Sequence, residues 1–291
     1  MKIAVLSDIH GNMPALQAVT KDIESWQPDQ VIVNGDIVNR GPCSQAVLRF
    51  VLEKQVRDGW HLLRGNHEDF LLRCGQQESE LSRPTYEINR FVRFAYQQLN
   101  GELEALVDMP DRFSWFGPDR SEFRVIHASM RSNRDGIYPD MTGDELRQRI
   151  SPAPAVFVTG HTHQPLIRQI DETLVANVGS VGAPFDLNWR PSYGRFVWRP
   201  QSGWQAEIIR VEYNRALIEE DYVRSGFLQK GGPLAQIMLV ELRRARGLIF
   251  YWASKYEEAV TNGEISLEES VKLILRENEI RPYLGPPGWE L

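Results

Sequence analysis

Cysteine is scarce in this 291-residue chain: Cys43 and Cys74 are its only two. That is too few for a disulfide framework, and neither belongs to a C-x-x-C pair of the structural-metal type. Long apolar runs are missing as well, with nothing near the roughly 18 residues of a membrane span. No signal pattern precedes the apolar stretch that opens at Ile3, so a cytoplasmic protein without membrane contact is expected. Basic residues are outnumbered 33 to 39 by acidic ones, giving a net charge of −6 and a pI near 5.6. Duplex nucleic acid is therefore not the expected partner, and a small phosphorylated molecule fits better. Repeats are absent, and only the tail, with Pro286-Pro287-Gly288, is of low complexity. At 42% apolar and 25% charged residues the composition is that of an ordinary globular protein with a large core.

Histidine is also rare, yet five of the six histidines stand in polar clusters or beside them. The clusters are SDIHGN (7–12), NGDIVNRG (34–41), RGNHED (64–69) and TGHTH (159–163), with His127 in VIHAS as a fifth point and His61 outside them. Each follows an apolar run, at 3–6, 31–33, 62–63, 125–126 and 156–158. Such continuous runs suit strands covered on both faces. The polar residues then fall at strand C-terminal ends, the edge where open α/β sheets bind ligands. After the first run Asn12 can cap a helix with Pro14 in its first turn and Leu16, Val19, Ile23 and Trp26 at helical spacing. The Gly11-Asn12 helix start would face the cluster and offer amides to an anion.

Asp8 and His10, and again His161 and His163, are two residues apart, which on extended backbone places both side chains on one side. Asp36 could lend its two carboxylate oxygens to different cations. Imidazole, carboxylate and the amide oxygen of Asn66 form a nitrogen and oxygen ligand set without thiolate, suited to Mn, Fe, Co, Ni or Zn.

In the order D-x-H, G-D, G-N-H-[ED], H and G-H-x-H, these motifs resemble those of the calcineurin-like metallophosphoesterase superfamily over roughly residues 1–200. The resemblance implies two divalent transition-metal ions, one held by Asp8, His10, Asp36 and His163 and the other by Asp36, Asn66, His127 and His161. It makes His67 the acid that protonates the leaving oxygen, with direct attack by a metal-bridging hydroxide. It also implies an α/β fold of two facing mixed β-sheets flanked by helices, a four-layer sandwich, here assigned to residues 1–212. Two divalent cations against two ligating carboxylates leave such a site positive, which suits a phosphate.

Arg40 is similar to a phosphate-contacting arginine of the protein phosphatase branch, but Asn39 stands where that branch has aspartate. This weakens a protein phosphatase reading and leaves Glu68 or Asp69 to tune His67. NVGSVGAP (177–184) resembles the glycine-rich stretch of small bacterial phosphodiesterases and dinucleoside polyphosphate hydrolases. A phosphodiester or dinucleoside polyphosphate is thus the expected substrate, with a phosphomonoester or phosphoprotein as the alternative. A binding scaffold on the same fold is the reading from another class, and the intact His67 disfavours it. Arg131 and Arg134 are within sequence reach of the substrate. His61 reads as structural, and Trp189 and Tyr193 as closing a core edge.

Two additions surround this core. Residues 76–120, a lid candidate, carry a helix at 86–99 and a Pro- and Asp-rich stretch at 108–119. After a hairpin at 196–211, turning at Gln201-Ser202-Gly203, residues 213–291 form a helical appendage: an apolar helix at 234–256, a capping box at Ser266 and an extended tail from Pro282. Its Phe250, Tyr251 and Trp252 need cover, which the core or a second subunit, in a homodimer, would supply.

Overall fold

The computed structural model describes residues 1–76 and 83–278. The tail from Pro282 lies outside them, as do residues 77–82 of the insertion. In chain order the amino-terminal half runs β1 (Lys2–Leu6), α1 (Met13–Trp26), β2 (Gln30–Asn34), α2 (Ser44–Asp58), β3 (His61–Leu63), α3 (Asn66–Gln76), α4 (Arg83–Ile88), α5 (Arg90–Leu99), α6 (Glu104–Val107), β4 (Arg112–Phe116) and β5 (Glu122–Ile126). There follow α7 (Gly143–Ile150), β6 (Val156–Thr159), β7 (Leu166–Ile170), β8 (Thr173–Asn177), β9 (Ser192–Arg199) and β10 (Gly203–Arg210). The helices α8 (Arg215–Arg224), α9 (Phe227–Lys230), α10 (Leu234–Arg244), α11 (Ile249–Trp252), α12 (Glu258–Thr261) and α13 (Leu267–Glu277) close the sequence, with a π-helical turn at Ala253–Glu257.

Two five-stranded mixed sheets result, ordered β10-β9-β1-β2-β3 and β4-β5-β6-β8-β7. In each, three adjacent strands run parallel and the remaining pairings are antiparallel. Ile3, Val5, Ile32 and Leu63 of the first meet Phe123, Val125, Val156 and Val158 of the second in one buried layer. The outer face of the first sheet packs under α1 and α2 through Leu16, Val19, Val47 and Leu48, and that of the second under α7 through Leu146 and Ile150. Strands covered on both faces are what the unbroken apolar runs required.

Asn12 caps α1 as its position suggests, accepting from the Ala15 N–H at 3.1 Å. The amides at that helix start are nevertheless used within the chain: Gly11 N–H goes to Ile37 O and Asn12 N–H to Ile9 O. They are not the anion donors expected from the sequence.

Other elements differ in detail. The helix expected at 86–99 breaks at Asn89 into α4 and α5. The stretch at 108–119 is not all lid, because Arg112-Phe113-Ser114-Trp115-Phe116 alternates and forms β4, an edge strand paired with β5. Proline and aspartate at the borders of that run hid its period-two pattern. The segment 234–256 is not continuous, since Ala245 turns left-handed at φ 51° and ends α10. Trp252 is buried with its indole N–H on Ser270 Oγ at 2.9 Å, whereas Phe250 and Tyr251 are exposed. Ser266 accepts from the Glu269 N–H at 3.1 Å, one arm of the expected capping box.

The insertion and the C-terminal helices are not separate additions. Ile88 shares a buried cluster with Leu234, Ile237, Trp252 and Ile274, and Phe94 shares another with Ile218, Phe227 and Met238. Together they build one helical layer beside the first sheet.

Candidate metal centre

Asp8, Asp36, Asn66, His127 and His161 each lie one to three residues beyond the end of β1, β2, β3, β5 and β6 respectively. Their loops converge in three groups whose donor atoms stand within 4.8 Å of one another: Asp8, His10 and His163; Asp36, His127 and His161; His10, Asp36 and His67. Asn66 joins through its Oδ1, 3.0 Å from His127 Nε2. All the expected ligand positions are thus brought to one place, while His61 stays in β3, its ring tilted against Phe113 and bonded to Gln30.

The route to this convergence is not the extended backbone that the i, i+2 spacing suggested. Asp8, His10, Asp36, His161 and His163 all have positive φ, between 47° and 66°. Left-handed backbone in a non-glycine residue costs about 1 kcal/mol or more and persists only where its surroundings enforce it. Here they do. The Asp8 N–H is held by Gly35 O at 3.1 Å, the His10 N–H by Asp36 O at 3.0 Å, and the Asp8 carbonyl by Gly182 N–H and Ser180 Oγ. Glycine is required at 182, where a Cβ would come within 1.9 Å of Ile9 O.

Glu68 is the clamp of the site, and its role was not read from the sequence. Its fully buried carboxylate accepts four backbone N–H groups: Asp36 and Gly65 on Oε2, both at 2.8 Å, and Ile37 and Val38 on Oε1 at 2.8 and 3.2 Å. It ties the loop after β2 to the loop after β3. Burial, with Asp36 beside it, pushes the Glu68 carboxyl up to about 7 against the pull of those donors. Neither Glu68 nor Asp69 tunes His67, contrary to expectation; Asp69 binds Asn133 and Arg64. His67 Nδ1 instead meets Asn39 Nδ2 at 2.9 Å, and Asn39 Oδ1 is taken by the Arg40 N–H at 2.8 Å, which fixes the amide. An amide N–H facing Nδ1 leaves the ring proton on Nε2. Burial, the charge on Arg40 and the neighbouring imidazoles hold His67 down at about 3, despite Asp36.

The donor set fits cations. His127 Nδ1 faces Asn34 O at 2.8 Å and His163 Nδ1 faces Ala183 O at 2.5 Å. A carbonyl only accepts, so those nitrogens carry a proton, and in the neutral ring each Nε2 presents a lone pair. Yet His127 Nε2 stands 3.3 Å from Asp36 Oδ2, and His163 Nε2 3.2 Å from both Asp8 Oδ1 and His10 Nε2. Lone pairs facing carboxylate oxygens repel unless a proton or a metal cation lies between them. Asp8 Oδ1 is buried with no hydrogen-bond partner, as is His161 Nδ1, whose Nε2 is bonded to Arg134 O. Although burial works against ionisation, the His163 imidazole keeps Asp8 down at about 2, and His127 and His67 keep Asp36 well below its usual range. Burial likewise opposes a proton on His127, yet Asp36 and Asp8 push it up to about 10. Two buried anions therefore attract any available cation. Asp36 Oδ1 accepts the backbone N–H of His67 at 2.9 Å, and Oδ2 lies between His10 and His127.

Arg40 lies beside the centre, also left-handed at φ 62°, and is one wall of a small cavity with His10, Tyr222 and Leu242. Its Nη2 pairs with the buried Glu241 of α10 at 2.5 Å, and Glu241 Oε1 accepts the Leu248 and Ile249 N–H groups. A glutamate 201 positions away had no signal in the sequence. Arg131 pairs with Asp135, and Tyr193 is buried on Asp22 and Arg195 away from the centre.

Residues 1–165 match the profile of the calcineurin-like phosphoesterase family. An uncharacterised protein of Methanocaldococcus jannaschii is 24% identical over 243 residues, which are 77% of this chain and 92% of the relative. The symmetrical bis(5'-nucleosyl)-tetraphosphatase of Psychromonas ingrahamii is 36% identical over 77 residues, only 26% of this chain and 27% of that protein. Among solved structures, a metallophosphoesterase from Sphaerobacter thermophilus superposes with a TM-score of 0.65 at 24% identity, covering 84% of this chain and 99% of its own. A hypothetical protein from Pyrococcus horikoshii gives 0.66 at 20% identity, over 79% and 98%.

Proposed function

Because the chain belongs to the calcineurin-like phosphoesterase family, we propose that it hydrolyses a phosphodiester or a dinucleoside polyphosphate at a dinuclear metal centre. Asp8, His10, Asp36 and His163 would hold one cation, and Asp36, Asn66, His127 and His161 the other. The observation that carries this reading is the convergence of two buried ionised carboxylates, four imidazoles and an amide oxygen at one place, a nitrogen and oxygen donor set suited to divalent cations. Divalent cations, when bound, supply Lewis acidity, neutralising phosphoryl oxygens and making water a stronger acid.

The chain's own groups do the rest. Asp36 would belong to both ligand groups, and Glu68 fixes the loop that carries it. His67 is held 4.9 Å from the His10 ring with its proton on Nε2; it would donate that N–H to the leaving oxygen, and would protonate it once the charge of a bound phosphate favours the imidazolium. Arg40 would contact the phosphate with the guanidinium edge that Glu241 leaves free. The small phosphorylated substrate is favoured over a phosphoprotein for two reasons: Asn39 replaces the aspartate of that branch, and the C-terminal helices wall the site at Tyr222 and Leu242. The segment similarity to symmetrical bis(5'-nucleosyl)-tetraphosphatases supports a dinucleoside polyphosphate.

Metal-reconstituted protein and its His67→Ala variant, assayed on a diester, a monoester, a phosphopeptide and a dinucleoside tetraphosphate, test the proposal. Turnover of the diester or tetraphosphate that drops about 100-fold or more in the variant is expected. Equal, low turnover by both proteins would remove His67 from the mechanism.

A further inference from the structure

Beyond His67, the exposed side of α3 carries a second concentration of positive charge. Phe70 lies one turn on, its ring 5.3 Å from the His67 imidazole and half-buried. Two guanidinium groups stand over that same ring: Arg73 from the next turn at 5.0 Å and Arg134, from the loop after β5, at 4.5 Å. Both arginines are exposed, and neither guanidinium has an ion pair or a hydrogen bond among the described residues. The carboxylate beside them, Asp69, is engaged by Arg64 and Asn133. Partial burial and the charge of Arg73 lower the Arg134 pKa, so the two cations repel each other. Arg134 is also fixed to the centre, because its carbonyl accepts from His161 Nε2 at 3.2 Å. Its guanidinium is no further from His67 than the His67–Phe70 and Phe70–Arg134 separations combined.

Like charges gathered on one ring are costly, the nearby Asp69, already engaged by Arg64 and Asn133, offsets only part of that cost, and an anion between them removes it. We propose that Arg73, Arg134 and Phe70 form an anion subsite that binds a second phosphate group of the substrate, beyond the one cleaved at the metal centre. This inference rests on the phosphoesterase reading and narrows it to substrates with a phosphate chain. Guanidinium forks bind phosphate oxygens two at a time, so the pair would grip one phosphate and set the register of the chain against His67.

The test compares wild-type, Arg73→Ala/Arg134→Ala and Arg73→Lys/Arg134→Lys proteins, all metal-loaded, on bis(p-nitrophenyl) phosphate and on a dinucleoside tetraphosphate. The alanine pair should raise KM for the tetraphosphate about 100-fold, leave the single-phosphate diester within about twofold, and be partly rescued by lysine. Calorimetric binding of the tetraphosphate against a dinucleoside monophosphate gives a readout independent of turnover; tighter tetraphosphate binding that vanishes in the alanine pair is expected. A wild-type protein that turns over neither substrate refutes the phosphoesterase reading and leaves the calorimetry to decide the subsite. Equal effects on both substrates, or no tetraphosphate preference in the calorimeter, overturn the subsite alone.

Discussion

Replacing Glu68 with glutamine tests the idea that the site is assembled by one buried carboxylate. The change is nearly isosteric, so packing is preserved and only acceptor capacity is altered. Glu68 accepts two N–H groups on each oxygen. An amide offers one oxygen, so either orientation of the substituted side chain sets its NH2 against two buried donors: those of Asp36 and Gly65, or those of Ile37 and Val38. A buried donor left unpaired costs about 1 to 3 kcal/mol, so the variant should lose about 2 to 6 kcal/mol. Denaturant unfolding of the metal-free protein reads that loss. Asp36 would lose its enforced left-handed geometry, so metal affinity, followed by titration, should fall about 10- to 100-fold. A variant within about 0.5 kcal/mol of wild type and with unchanged metal affinity would refute the clamp. It would mean that Glu68 is protonated in the native protein and already behaves as its amide.

Asn39→Asp should exchange a donor for an acceptor at His67 Nδ1, favour the imidazolium, and raise the depressed His67 pKa by about 1 to 3 units, as read from an NMR titration of the imidazole; an unmoved titration would contradict the hydrogen bond. Gly35→Ala would set a Cβ 2.6 Å from Gly65 N and 2.9 Å from His127 Nδ1 at φ +77°, so unfolding should cost about 2 kcal/mol less and metal uptake should fall. Chelation should destabilise the loaded protein by about 4 kcal/mol when metal had been a thousandfold above Kd, measured as a lowered Tm; an unchanged Tm would speak against cations in this centre. Glu241→Ala, by stranding a guanidinium only 15% exposed and two backbone donors, should cost about 3 kcal/mol in denaturant unfolding.

What the sequence disclosed was local. Runs such as Val31-Ile32-Val33 and Val156-Phe157-Val158 name their own strands because β-branched and aromatic residues buried on both faces admit few other conformations. The residues that follow them were legible because imidazoles and carboxylates are rare beside such runs. The hairpin of β7 and β8 was passed over although Leu166 to Ile170 and Thr173 to Asn177 flank an Asp-Glu turn, because its alternation is short and ragged. Contacts between distant segments left no trace. Nothing near Glu68 announces four backbone partners, and nothing near Arg40 points to Glu241. The left-handed backbone at Asp8 and His10 was hidden too, because aspartate and histidine tolerate it without requiring it.

The shared helical layer has a consequence for the order of events in synthesis. Ile88, Phe91 and Phe94 emerge from the ribosome early, yet the side chains that cover them, from Ile218 to Ile274, are made more than a hundred residues later. Until then the nascent polypeptide displays an aromatic face beside a half-built centre, a window in which a holdase would bind and a protease would cut. Severing the molecule near residue 212 would make that window permanent.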